Sequence, residues 1–249
     1  MSFRALNAGW SWEPDETPQR PEGAGHALNG PIEVRGARAG QTLVVAIEEV
    51  VPRDWGETFA DGDRFLWHLE GDEWRLGERR VRAAPFLGVI GMPPPEPGEH
   101  STIPPRRFGG NIDCKELVAG TELWLPVPVD GALVLAGDGH GAQGDGEVSG
   151  TAIECPLERA TLRFELSDLE LRSPLARTAD AWLAFGFDED LDLAAEQATA
   201  TMLDLMEREL GASRREALAL ASVAVDLRVT QVVNGVKGVH AVLRDGAIR

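Results

Sequence analysis

The chain has 249 residues, 43% of them hydrophobic and 26% charged, enough to build a sizeable core and ordinary for a globular protein. A formal net charge of −17 argues against nucleic acid as a partner, because phosphate contacts need a basic surface. No apolar run approaches the ~20 residues that span a bilayer, and the first twenty residues lack a basic segment followed by an apolar one. With only Cys114 and Cys155 as cysteines, nothing points to a stapled extracellular scaffold, so a soluble cytoplasmic protein is expected.

Twenty-eight glycines and sixteen prolines favour strands and turns over a helical bundle. Residues 1–30 read as irregular. IEVRGARAGQTLVVAIEEVVPRDW reads as strand, turn, strand, with LVVAIEEV suited to a buried strand. Within 61–76 a hairpin is expected around Gly71 and Asp72. Within the segment 85–113, prolines at 93, 94, 95, 97, 104 and 105 forbid helix and predict a long loop of the kind that is functional or disordered. TELWLPVPV and GALVLAG read as short strands. EVSGTAIE and RATLRFELSDLEL resume the β pattern, with Leu162, Phe164 and Leu166 alternating against Arg163 and Glu165.

The last third changes character. Leu191, Ala194, Ala195, Ala198, Met202, Leu205 and Met206 keep helical spacing, and Gly211 marks a stop. Ser213 and Glu216 form a capping box that opens a helix from Arg214 to about Ala224. DLRVTQVV returns to strand, and Asn234-Gly235 reads as a turn. The expected fold is α+β and mainly β: a sandwich- or barrel-like β body over 1–170 that carries glycine-rich and proline-rich loops, then a C-terminal α/β portion over 171–249 with a helix pair and a strand.

GDGHGAQGDGE, residues 137–147, packs five glycines among potential ligands and proton carriers. Gly139 to Gly144 matches GxGxxG after a strand, but a dinucleotide site needs a helix to begin there, and a β-branched pattern follows instead. An EF-hand loop starting at Asp138 would put Gln143 where glycine belongs and Ser149 where glutamate belongs. No phosphate-loop or G-x-S-x-G motif fits. A solvated turn would explain glycine and aspartate; it would not require His140, Gln143, Asp145 and Glu147 in one short loop.

GEHSTIPPRRFGGNIDCKEL and LWLPVPVDGALVLAGDGHGAQGDGEVSGTAIECPLE resemble the acetamidase/formamidase family. LNGPIEVRGARAGQTLVVAIEEV, PFLGVIG and DLRVTQVV are similar to its flanking segments, so the likeness runs from about Ala27 to Val233. Ala5 to Trp12 begins where the family's additional N-terminal β segment, often with a His-Trp-Gly stretch, would end. The resemblance implies a β-rich fold with a C-terminal α/β portion, and a metal-assisted amidohydrolase that turns a small amide such as formamide or acetamide into carboxylate and ammonia. It also implies a homodimer or higher homo-oligomer.

Under that reading Asp113, His140 and Glu154 are the expected metal ligands. The ion is zinc foremost, while a carboxylate-rich set also accepts calcium, iron or manganese. Glu147 and Asp145 are candidate proton carriers, and Asn111, Gln143 and His100 candidate substrate contacts. Cys114 and Cys155 are expected to be buried structural thiols; a cysteine nucleophile with His140 as base is the competing arrangement. His26, His68 and His240 are expected to be structural or exposed. The alternatives are a non-catalytic metal- or ligand-binding β protein and a sister hydrolase acting on a cyclic amide or ureide.

Overall fold

The computed structural model describes residues 1–17 and 20–249. In chain order the strands are β1 (Ser2–Ala5), β2 (Leu28–Ile32), β3 (Thr42–Pro52), β4 (Trp55–Ala60), β5 (Asp63–Glu70), β6 (Glu73–Leu76), β7 (Arg79–Arg82), β8 (Phe86–Gly91), β9 (Gly109–Asn111), β10 (Thr121–Pro126), β11 (Val134–His140), β12 (Leu157–Ser167), β13 (Leu175–Arg177) and β14 (Ala181–Asp188). Two helices follow, α1 (Leu191–Leu210) and α2 (Arg214–Ala224), and then β15 (Val225–Gln231) and β16 (Lys237–Arg244). The fold is mainly β with a C-terminal helix pair, as the composition and patterning predict. Among the described residues, no helix is long and apolar enough to cross a membrane.

An eight-stranded sheet runs β1-β12-β3-β10-β13-β14-β16-β15, and two four-stranded sheets run β2-β11-β8-β9 and β4-β5-β6-β7. The large sheet passes through both sides of residue 170. Leu43, Val45 and Ile47 of β3, Leu123 and Leu125 of β10, and Leu157 and Leu162 of β12 bury one face of it. They meet Leu87 and Ile90 of β8 and Val134 and Ala136 of β11 in the same core. On the C-terminal strands, α1 packs Ala194, Ala198, Met202, Leu205 and Met206 against Ala184, Val239 and Ala241 in a second cluster.

The helix limits follow their caps. Asp190 accepts from the N–H groups of Asp192 and Leu193, and Gly211 ends α1 in the left-handed conformation at φ 64°. Ser213 Oγ accepts from Glu216 N–H at the start of α2.

Four expectations need correction. Residues 1–30 are not irregular throughout, since Ser2–Ala5 pairs with β12 and Leu28–Ile32 with β11. The segment 85–113 is not one loop: Phe86–Gly91 is a fully buried strand and Gly109–Asn111 pairs with it, leaving the prolines in the connection. EVSGTAIE is not a strand but a chain of turns ending in an isolated bridge at Glu154, because Gly146 and Gly150 take left-handed backbone. The C-terminal portion holds two final strands, not one, since Lys237–Arg244 returns along both β14 and β15.

Candidate functional site

The site forms where β8, β9 and β11 lie side by side. In β11, Asp138 and His140 are two residues apart and so share a face. Gly139 and Gly137 pair with Leu87 and Val89, which sets Gly88 opposite Asp138. Asp113 follows β9, and its N–H and that of Ile112 both donate to the Gly88 carbonyl. Glu154 bridges to both His140 and Glu57, tying the end of β11 to β4. Glu147 comes from the turns after β11, which hydrogen-bond to β15 through Gly146 N–H to Thr230 O (3.0 Å) and Val232 N–H to Gly146 O (3.1 Å).

Close approach explains the glycine run. A Cβ at Gly139 would meet Cys155 O at 2.3 Å, and one at Gly141 would meet the Trp74 ring at 2.4 Å. Three acids here have left-handed backbone: Asp113 (φ 53°), Asp138 (φ 62°) and Glu147 (φ 46°). Such strain persists where surrounding structure imposes it, and it gathers at functional sites.

Asp113, Asp138, His140, Glu147 and Glu154 are all buried. Ligand atoms of Asp113, Asp138 and His140 lie within 4.8 Å of one another, as do those of His140, Glu147 and Glu154. His140 Nε2 stands 3.4 Å from Asp138 Oδ2 and 3.4 Å from Glu154 Oε2. On the other side of the ring, Nδ1 is 3.1 Å from Gln143 Oε1, while Gln143 Nε2 donates to Asp113 O at 2.7 Å. That second bond orients the amide, so its oxygen can only accept and Nδ1 must carry the proton. Nε2 of a neutral ring is then a lone pair facing two carboxylate oxygens, an arrangement that calls for a cation between them. Phe86 holds the ring edge-on at 4.9 Å.

The titration behaviour follows from this crowding. Burial pushes the Asp113 carboxyl well up, and Glu147 adds to the shift. Burial also raises Glu154, and it lifts Glu147 to about 7. Burial works against a charged His140, yet the Glu154 and Asp138 carboxylates carry it well above the usual imidazole range. Burial opposes ionisation of Asp138 as well; His140 overcomes it and holds the carboxyl down to about 2.

The donor set fits a divalent ion. Asp113 Oδ1, Asp138 Oδ1 and Glu154 Oε2 are buried with no hydrogen-bond partner, a costly state unless a cation satisfies them. The 3.4 Å separations are close to the ~3.3 Å N···O edge of a tetrahedron with 2.0–2.1 Å bonds. A Cβ at Gly88 would fall 2.6 Å from Asp138 Oδ2 and 2.8 Å from both Asp113 Oδ1 and His140 Cε1, so the absence of a side chain leaves room among these groups.

The structure thus brings Asp113, Glu147 and Glu154 around His140, with Gln143 behind the ring. Asp145 stands apart in a half-exposed ion pair with Lys115 at 2.9 Å, although it lines the same 420 Å³ cavity as Gln143 and Glu147. Asn111 donates to Ile103 O at 3.1 Å, and its Oδ1 is buried and unpaired. His100 is exposed, bonded to Glu96 O at 2.8 Å, and lines a separate 880 Å³ groove between the proline loop and α1. Cys155 is a buried thiol that burial pushes up, which disfavours a thiolate nucleophile.

Sequence reasoning missed four participants. Asp138 has a signal in its i, i+2 spacing to His140, hidden by reading 137–147 as loop. Gly88, His26 (Nε2 3.9 Å from Asp138 Oδ2) and Asn234 carry none. Asn234 Nδ2 donates to Asp113 Oδ2 at 2.6 Å across 121 residues.

The crystal structure of an acetamidase from Bacillus halodurans superposes with a TM-score of 0.86 at 30% identity, over 98% of this chain and 88% of that one. The chain belongs to the acetamidase/formamidase family. The family's sequence pattern, described as Acetamidase/Formamidase family, matches residues 96–173, which hold Asp113, Asp138, His140, Glu147 and Glu154. A predicted acetamidase/formamidase from Thermoanaerobacter tengcongensis gives a TM-score of 0.91 at 26% identity, over 98% of this chain and 86% of its own. A putative formamidase from Schizosaccharomyces pombe is 26% identical over 229 residues, 60% of this chain and 55% of that protein. The chain spans about half the length of the curated relatives of the acetamidase/formamidase family that it matches.

Proposed function

We propose that this protein hydrolyses the C–N bond of a small linear amide, of the formamide or acetamide type, to a carboxylate and ammonia, with a divalent ion, zinc foremost, in the buried cluster. The observation that carries this reading is His140 Nε2, turned by Gln143 toward Asp138 Oδ2 and Glu154 Oε2 in a cluster where Asp113 Oδ1, Asp138 Oδ1 and Glu154 Oε2 are buried without a hydrogen-bond partner. Asp113, His140 and Glu154 would hold the ion, with Asp138 as a further donor. A divalent ion in such a site polarises a carbonyl and lowers the pKa of bound water to about 7.

The remaining work falls to side chains. Glu147, raised to about 7 by burial, exchanges a proton near neutrality; its carboxylate takes one from water and returns it to the departing amide nitrogen. Gln143 keeps His140 in the tautomer whose Nε2 is free to bind. The 420 Å³ cavity walled by Trp67, Ala142, Gln143 and Glu147 admits a small substrate and brings it to the Glu147 carboxylate.

The same reading takes the protein as a cytoplasmic homodimer or higher homo-oligomer. Two free buried cysteines suit a reducing compartment, and exposed Leu218, Val223 and Leu227 offer apolar surface for self-association. Ammonia release from formamide and acetamide tests the activity, with zinc loaded and after chelation. Release that disappears on chelation and in His140→Ala is expected. A folded, metal-loaded protein that releases no ammonia from a broad amide panel would refute the reading and favour a metal-binding protein without turnover.

A further inference from the structure

A second cluster of donors lies one residue beyond Asp113 and is not used by the chemistry above. Cys114 and Glu116 come from the turn between β9 and β10, and His240 from the middle of β16. Their ligand atoms all lie within 4.8 Å of one another. Cys114 Sγ is 3.3 Å from Glu116 Oε2, and His240 Nε2 is 3.7 Å from the same oxygen. The Cys114 and His240 residues are both 0% exposed, and His240 Nε2 has no hydrogen-bond partner.

We propose that Cys114, Glu116 and His240 form a second metal site, for zinc or a similar borderline-soft divalent ion. With bonds of about 2.3 Å to sulfur and 2.0–2.1 Å to nitrogen and oxygen, a tetrahedral ion spaces these donors about 3.3–3.6 Å apart. The sulfur–oxygen separation of 3.3 Å lies about 0.3 Å inside its expected spacing and the nitrogen–oxygen separation of 3.7 Å about 0.4 Å outside, shifts that small side-chain rotations remove. The outer contacts are those a bound ion needs. Thr230 Oγ1 lies 2.8 Å from His240 Nδ1 and can accept its proton, which leaves Nε2 bare. Arg228 donates to Glu116 Oε1 at 2.8 Å and turns the other oxygen inward.

Glu116 and Arg228 line a 340 Å³ surface pocket, the side from which an ion would reach the site. On binding, the Cys114 thiol loses its proton to solvent and the metal–sulfur bond forms in its place. The donor set separates this site from the cluster around His140, which offers only oxygen and nitrogen. Its effect would be to fasten the segment that bears Asp113 onto β16.

Sulfur makes the test selective. Cobalt(II) added to the metal-stripped full chain should give a thiolate-to-cobalt charge-transfer band in the near ultraviolet. Zinc should abolish the band. It should persist in Cys155→Ala and His140→Ala, be absent in Cys114→Ser, and require at least about tenfold more cobalt in His240→Gln, as expected for loss of a ligand. Far-ultraviolet dichroism checks that each variant folds, and Glu116→Gln replaces any that does not. Folded wild-type protein saturated with cobalt but showing no band overturns the proposal, as does a band that survives Cys114→Ser or vanishes in Cys155→Ala.

Discussion

Replacing Gly88 with alanine adds one methyl group among Asp113, Asp138 and His140. The new Cβ would lie 2.6 Å from Asp138 Oδ2, 2.8 Å from Asp113 Oδ1 and 2.8 Å from His140 Cε1. Comfortable contact begins near 3.5 Å, so each group must retreat by roughly 0.7–0.9 Å. Metal–ligand distances tolerate only about 0.2 Å, so zinc affinity should fall at least about tenfold. Overpacking costs about 1–3 kcal/mol. Gly88 is not among the positive-φ residues, so alanine recovers about 0.4–1 kcal/mol by restricting the unfolded chain. The net loss of roughly 1–2 kcal/mol corresponds to a Tm drop of roughly 2–8 °C for a chain of this size. Calorimetric zinc titration and thermal melts of the metal-free protein measure the two effects separately. A Gly88→Ala protein with unchanged zinc affinity and unchanged ammonia release would refute a metal lying between Asp113, Asp138 and His140.

Four further outcomes are expected. Asn234→Ala leaves Asp113 Oδ2 without its donor, so it should cost about 1–3 kcal/mol in denaturant unfolding and weaken zinc binding about 10–100-fold. Glu147→Gln should reduce the rate of amide hydrolysis about 10²–10⁴-fold, whereas Asp145→Asn, which breaks only a half-exposed ion pair, should change it less than about tenfold. Equal losses in the two variants would count against Glu147 as the proton carrier. Cys155→Ala should retain hydrolysis; complete loss in a folded protein would revive a thiol nucleophile. Gln143→Ala should lower zinc affinity about 10–100-fold in calorimetry by freeing the His140 tautomer, and unchanged affinity would disprove that role.

The parts of this fold that could be read in advance are those encoded locally. Helix α1 stops where Gly211 says it should and α2 starts where Ser213 does, because a cap acts within four residues of itself. Strand β8 was obscured by the prolines behind it, and β14 and β16 lack the clean alternation of a half-buried strand because both are buried along most of their length. The site divides in the same way. His140, Asp113, Glu147 and Glu154 stood out by residue type within unusual motifs. Asp138 was lost once its segment was read as loop, since only a strand places residues 138 and 140 on one face. Asn234 looked like an ordinary turn residue; its bond to Asp113 depends on how the last hairpin docks, which no neighbouring residue records.

That hairpin has a consequence for the order of events in the cell. Thr230, Val232 and Asn234 clasp the Gly146 turn and Asp113, so a nascent chain emerging from the ribosome exposes every acid of the pocket well before the residues that close it. On the proposed function, capture of an ion in its final geometry would wait until residue 234 has left the ribosome, and a chain stalled before that point would present an unfinished, strongly anionic cleft.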